Sequence, residues 1–171
     1  MHRVPTPDRD TPTGKCIEKL RELLESRSDT IAAMIVEPMV QGAGGMRIQP
    51  PEFLEAVSRL CKQHNVLLIA DEVMTGFGRT GTMFACEHAN VSPDLLCIAK
   101  GLTGGVVPLA ATLTTEPIYE AFLGETTEQA FLHGHSFTAN PITCATGLAV
   151  LDEYERLNLI DNAAAMGGYL R

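Results

Sequence analysis

Leu67-Leu68-Ile69-Ala70 is apolar at every position and ends in Asp71, and a second run, Leu95-Leu96-Cys97-Ile98, is followed by Ala99 and Lys100. Short runs that are apolar on successive residues fit strands buried on both faces, the pattern of a mostly parallel sheet covered by helices. Ile31-Ala32-Ala33-Met34-Ile35-Val36 is a third such run, and Leu109-Ala110-Ala111-Thr112-Leu113-Thr114 a fourth. Helical patterns alternate with them. Leu20, Leu23 and Leu24 recur among charges over residues 16–26, and Phe53, Leu54, Val57, Leu60 and Cys61 share one helical face over 52–64, introduced by Pro50-Pro51. Two more helices are expected, over about 141–156 and, more weakly, 160–171, with glycine-marked loops at 42–45, 76–81 and 101–105. The fold class is α/β, without internal repeats.

A chain of 171 residues, 45% hydrophobic and 20% charged, can bury one sizeable core. Its net charge of −8, with no basic stripe interleaved with aromatics, disfavours a nucleic-acid partner. The apolar runs fall far short of a bilayer span and residues 1–8 carry no hydrophobic signal region, so no membrane partner is expected and the cytoplasm is the expected compartment. Cys16, Cys61, Cys86, Cys97 and Cys144 are odd in number and lack CxxC spacing, which reads as reduced thiols. His133 and His135 alternate like strand-side ligands and Cys86-Glu87-His88 adds donors, but no third and fourth ligand stands at zinc-like spacing, so no metal is expected.

In open α/β sheets, chemistry gathers outside the carboxyl ends of the strands. Glu37, Asp71 and Lys100 follow three of the four runs. Alone, such a lysine is most often a solvated loop residue and such an aspartate a turn or helix cap. Together they suggest a pyridoxal phosphate site, in which a carboxylate holds the pyridinium nitrogen and an amine joins the aldehyde carbon. Period-two alternation puts Ile69, Asp71 and Val73 on one face, where Val73 can pack against a flat ring. Between acid and lysine, Gly76-Phe77-Gly78-Arg79-Thr80-Gly81 lets backbone approach a ligand closely, but no small-residue helical pattern follows, which disfavours a dinucleotide fingerprint. Asn140-Pro141 reads first as a helix start, with Asn140 as the cap.

The stretch from Ile35-Val36-Glu37-Pro38 through Asp71-Glu72-Val73-Met74-Thr75-Gly76-Phe77-Gly78-Arg79-Thr80-Gly81 to Lys100-Gly101-Leu102-Thr103-Gly104-Gly105 resembles the class III aminotransferases of the fold type I pyridoxal phosphate enzymes. Within that class, the runs at 100–105, 109–115 and 131–141 most resemble the members that serve biotin synthesis. The resemblance implies S-adenosylmethionine as amino donor, or lysine as in some relatives, and 8-amino-7-oxononanoate as acceptor, giving 7,8-diaminononanoate. It implies that Lys100 carries the cofactor, that Asp71 binds its ring nitrogen, and that Glu37 lies near it while Arg79 borders the substrate cavity. Gly134-His135-Ser136 matches a stretch that reaches the partner subunit's site, with Ser136 at the cofactor phosphate, His135 beside it and Gly134 at the substrate; a homodimer with shared sites follows. Many relatives carry Pro-Thr at His135-Ser136, and serine keeps the hydroxyl. The resemblance also divides the chain into an extended segment over 1–14 and part of the cofactor-binding large domain over 15–171, with the phosphate loop, a ring-stacking aromatic and a small domain lying outside it. Two alternatives stay open: another class III ω-aminotransferase or aminomutase, and an inactive truncated fragment.

Overall fold

In the computed structural model, which describes residues 1–170, the chain runs α1 (Thr13–Arg27), β1 (Ala33–Val36), β2 (Val40–Gln41), β3 (Arg47–Ile48), α2 (Pro51–Gln63), β4 (Leu67–Asp71), β5 (Leu95–Ile98), β6 (Ala111–Thr114), α3 (Glu116–Glu120), α4 (Pro141–Arg156) and α5 (Leu159–Tyr169). Short 3-10 turns cover Ser28–Thr30, Ala85–Ala89 and Lys100–Thr103. The main sheet has the order β1-β4-β5-β6; its first three strands are parallel and β6 is antiparallel. The mostly parallel α/β sheet matches the expectation from the apolar runs. Residue 171, at the end of the expected last helix, lies outside the described residues.

Helices α1 and α2 cover one face of this sheet. Cys16, Leu20 and Leu24, spaced by four, line up on α1, and Phe53, Val57, Leu60 and Cys61 on α2; they close over Val66 and Leu68 with Met34 and Val36 beside them. Full burial of each leucine stabilises the fold by about 1.5–3 kcal/mol, which makes this interface the main anchor of the sheet. The other face is more open than a sheet covered on both sides. Ile35, on that face of β1, is 63% exposed; Leu113, 50% exposed, lies on the α1–α2 face in one row with Val36, Ala70 and Leu96, but on the edge strand β6, at the end of that row. Alternation turns Ile35 away from Val36 and the α1–α2 side, so the apolar run of β1 is doubly apolar without being doubly covered.

The turn from α2 into β4 is built locally. Pro51 occupies the first helical turn, where a missing N–H costs nothing. At the other end Asn65 is left-handed with φ 55°, and the Val66 N–H reaches back 2.9 Å to the Cys61 carbonyl. That six-to-one bond, with buried Val66 over Cys61, stops the helix and aims the chain into the sheet. The sequence pattern missed the hairpin of β2 and β3 and the short α3, whose strands and turns are too brief to show periodicity.

Candidate active site

The parallel register brings three strand ends to one edge. Val36 pairs with Ala70, so Glu37 and Asp71 are the next residues on adjacent strands; Asp71 itself pairs with Cys97, three residues before Lys100. Neighbouring strands lie about 4.8 Å apart, so Glu37 and Asp71 leave the sheet side by side, while Lys100 follows the end of β5 by two residues and lines a cavity that includes neither of them. The Glu72 N–H donates to the Cys97 carbonyl at 2.9 Å, extending the ladder one residue past Asp71 and fixing that carboxylate's backbone from both sides.

Asp71 is half-buried, and its Oδ1 accepts the Val73 N–H at 3.1 Å; among the described residues nothing partners its Oδ2. The strand-end acid is therefore both the turn element expected of any such aspartate and an acceptor with one free oxygen. Lys100 opens its 3-10 turn exposed, and among the described residues its amine makes no ion pair. Glu37 is half-buried and its Oε2 takes the Gly42 N–H at 2.7 Å, tying the β2–β3 hairpin to the strand edge. Met74 sits against Gly42, between that hairpin and the start of the glycine loop.

The glycine loop passes on to Lys100. Phe77 is buried with φ 61°, and its N–H donates to the Met83 carbonyl at 2.6 Å while Gly78 N–H reaches Thr82 at 3.1 Å. This tight hairpin carries Arg79 to the mouth of a cavity of about 530 Å³ that is shared by Phe77, Lys100, Gly101 and Tyr154. Tyr154, from α4, donates its hydroxyl to the Phe77 carbonyl at 3.3 Å and tilts its ring against Phe77. Helix α4 starts as expected, with Asn140 Oδ1 accepting the Ile142 N–H at 2.9 Å and Pro141 in the first turn.

Gly134, His135 and Ser136 stand apart from this cluster. All three are exposed, and the hydrogen bonds of His135 stay within its own turn, to Thr138 and Phe137. Around them Tyr119, Phe122, Leu123, Phe131, Leu132 and Phe137 are exposed as well. Among the described residues no group of three or more His, Cys, Asp or Glu side chains could hold a metal ion, and no helix is long and apolar enough to cross a membrane. All five cysteines are free thiols; burial, then the nearby Asp94 charge, pushes Cys61 up to about 11.

Sequence reasoning missed Glu72. It is fully buried, and its carboxylate accepts Thr75 Oγ1 at 2.5 Å, the Ala85 N–H at 3.0 Å and the Cys86 N–H at 2.8 Å, with no cation beside it. The signal was available only as a second acid directly after Asp71, which alternation turns to the opposite face.

Residues 1–171 match the aminotransferase class-III family along their whole length. The chain belongs to the class-III aminotransferases. Curated relatives include the adenosylmethionine-8-amino-7-oxononanoate aminotransferase of Geobacter sulfurreducens, 50% identical over 89% of this chain and 34% of that protein. A solved Bacillus anthracis aminotransferase superposes with a TM-score of 0.89 at 37% identity, covering 98% of this chain and 39% of the other. An amine transaminase from an uncultivated Pseudomonas species, solved in its PLP-bound internal aldimine form, gives a TM-score of 0.86 at 44% identity over 92% of this chain and 36% of the other. The chain thus spans about a third of the length of its relatives. The class-III aminotransferases use pyridoxal phosphate as cofactor. The donor set at the strand edge fits that group: a carboxylate with one unpartnered oxygen for a ring N–H, and an unpaired amine for an aldehyde carbon.

Proposed function

We propose that this chain supplies the ring-binding and lysine half of a pyridoxal phosphate aminotransferase site in biotin synthesis, passing the amino group of S-adenosylmethionine to 8-amino-7-oxononanoate. The observation that carries the reading is that Asp71 ends β4 and Lys100 follows the adjacent parallel strand β5 by two residues, at the same end of the sheet, with their reactive atoms unpartnered among the described residues. The identity of about 50% to relatives named for that reaction supports the substrates.

When bound, pyridoxal phosphate supplies an electron sink for the charge left on a deprotonated substrate carbon. Asp71 Oδ2 would accept and hold the ring-nitrogen proton, which would keep that sink strong, and Val73, which lies past the end of β4 in the turn held by Asp71 and not on the strand as alternation suggested, would pack against the ring from there. Lys100 Nζ would hold the cofactor covalently and, once displaced by a substrate amine, would take the proton from the substrate carbon and return it to the cofactor's former aldehyde carbon, on the other side of the transferred nitrogen. Glu37 borders the ring from the adjacent strand, and Arg79 places a positive charge at the cavity mouth beside Lys100.

In this reading Ser136 gives its hydroxyl and backbone N–H to the phosphate of a second subunit's site, with His135 beside it and Gly134 against that subunit's substrate. The exposed apolar side chains around 119–137 support a homodimer with shared sites, and cytoplasmic residence accords with a pathway built on soluble substrates. A second reading, an inactive fragment, is favoured by the exposed apolar side chains of the sheet, Ile35 on one face and Leu113 on the other. A third keeps the class and changes the substrate to that of another ω-aminotransferase or an aminomutase.

Incubating the chain with pyridoxal phosphate, reducing with borohydride and mapping the label by mass spectrometry separates these readings, with Lys100→Ala as control. Label confined to Lys100 is expected, followed by amino transfer to 8-amino-7-oxononanoate from S-adenosylmethionine in preference to lysine. Scattered label on surface lysines points to the fragment, and transfer to a different acceptor points to the third reading.

A further inference from the structure

The Glu72 carboxylate has no part in the proposed reaction, yet it is the most completely buried charged group described: it is 0% exposed and no lysine, arginine or histidine is paired with it. An uncompensated buried carboxylate is costly, so its donors must be aimed at it. Two of the three are backbone N–H groups, Ala85 and Cys86, at the start of the 3-10 turn Ala85–Ala89, and the third is the hydroxyl of Thr75. The effect is to close a loop at its base. Chain 73–84 leaves the sheet edge immediately after Asp71-Glu72 and is returned to Glu72 at Ala85, and the segment between them holds the Phe77 hairpin. Phe77 then meets Gly101, the residue after Lys100, so closely that a methyl at 101 would lie 2.7 Å from its ring carbons Cγ and Cδ2. Phe84, the last loop residue, stacks edge-on against the same ring with centroids 5.8 Å apart.

We infer that Glu72 is a positioning residue: through its three hydrogen bonds it fixes loop 73–84, and through Phe77 that loop sets the place of the Lys100–Gly101 turn relative to Asp71. Asp71 is held by the same device, since its own Oδ1 contact is to Val73, the first residue of the loop. The inference rests on the proposed function only for what the alignment of Asp71 and Lys100 serves; the mechanical link from residue 72 to residue 101 stands without it.

Glu72→Gln discriminates well, because an amide can turn its oxygen toward one of the two backbone N–H groups but presents an NH₂ to the other. Hydrogen exchange is read without cofactor on the intact 171-residue chain. Exchange is expected to rise about tenfold at Ala85, Cys86 and also at Gly101, Leu102 and Thr103, while α1 and α2 keep wild-type protection. A rise confined to 84–87, with 100–103 unchanged, overturns the inference and leaves Glu72 a local cap. If Glu72→Gln does not fold, Thr75→Val, which withdraws one hydroxyl, is read in the same way, with the same two outcomes at smaller amplitude. Pyridoxal phosphate then supplies the second readout: in Glu72→Gln the pH midpoint of the visible band is expected to shift by at least half a unit, and an unchanged midpoint with full label at Lys100 argues against positioning. Absence of Lys100 label in the wild type counts against the proposed function and leaves the exchange test standing.

Discussion

Gly101 rests its backbone on the ring of Phe77, and no side chain at 101 fits without displacing that ring. Phe77 cannot easily retreat, because Phe84 and Tyr154 contact its other sides and its φ is already 61°. Gly101→Ala should therefore lower stability by about 1–3 kcal/mol, the usual range for overpacking. It should also cut pyridoxal phosphate labelling at Lys100 several-fold. Thermal melting followed by mass mapping measures both, and an unchanged label would show that the turn tolerates the shift.

Asp71→Ala removes the free Oδ2 along with the bond to the Val73 N–H. Affinity for pyridoxal phosphate should fall about tenfold, on the order of 1.4 kcal/mol, as the ring proton loses its acceptor. Asp71→Asn keeps the turn and loses the charge, so it should show the same loss of affinity with less loss of stability. Equilibrium titration of the visible band against denaturation midpoints distinguishes the two.

The left-handed Asn65 gives a prediction independent of function. Asn65→Val places a β-branched residue at φ 55° and should cost about 1–2 kcal/mol, while Asn65→Gly should be neutral or stabilising. Urea denaturation of the two variants beside the parent chain checks the sign.

Stability should depend on alkaline pH through Cys61, whose thiol is pushed from 9.0 up to about 11 by burial and by Asp94. The folded chain holds the proton more tightly than the unfolded one, so this contribution is complete below pH 9 and is lost as pH rises through 11, about 1–2 kcal/mol in all. Cys61→Ser or Cys61→Ala should flatten that part of the curve. In native thiol labelling, buried Cys16, Cys61 and Cys86 should react far more slowly than half-exposed Cys97 and Cys144.

Much of this was legible along the chain. The four apolar runs became β1, β4, β5 and β6, and the helical faces of α1 and α2 became the covered side of the sheet, because strand and helix periods record which side chains leave water. The carboxyl-edge rule placed Glu37, Asp71 and Lys100 after three of those runs, and the parallel register of β1, β4 and β5 puts these strand ends on the same side of the sheet. The antiparallel sense of β6 carried no such signal, since an isolated apolar run reads the same in either direction.

By itself, then, the sequence determined the fold class, the family and the residue types at the strand ends, all of which depend on local pattern and order. Only the tertiary structure decided that Glu72 is a buried carboxylate met by donors thirteen and fourteen residues on, and that Phe77 sets the seat of Gly101. These relations join segments remote along the chain, and their energy comes from desolvation and close packing, which exist only once the segments have met.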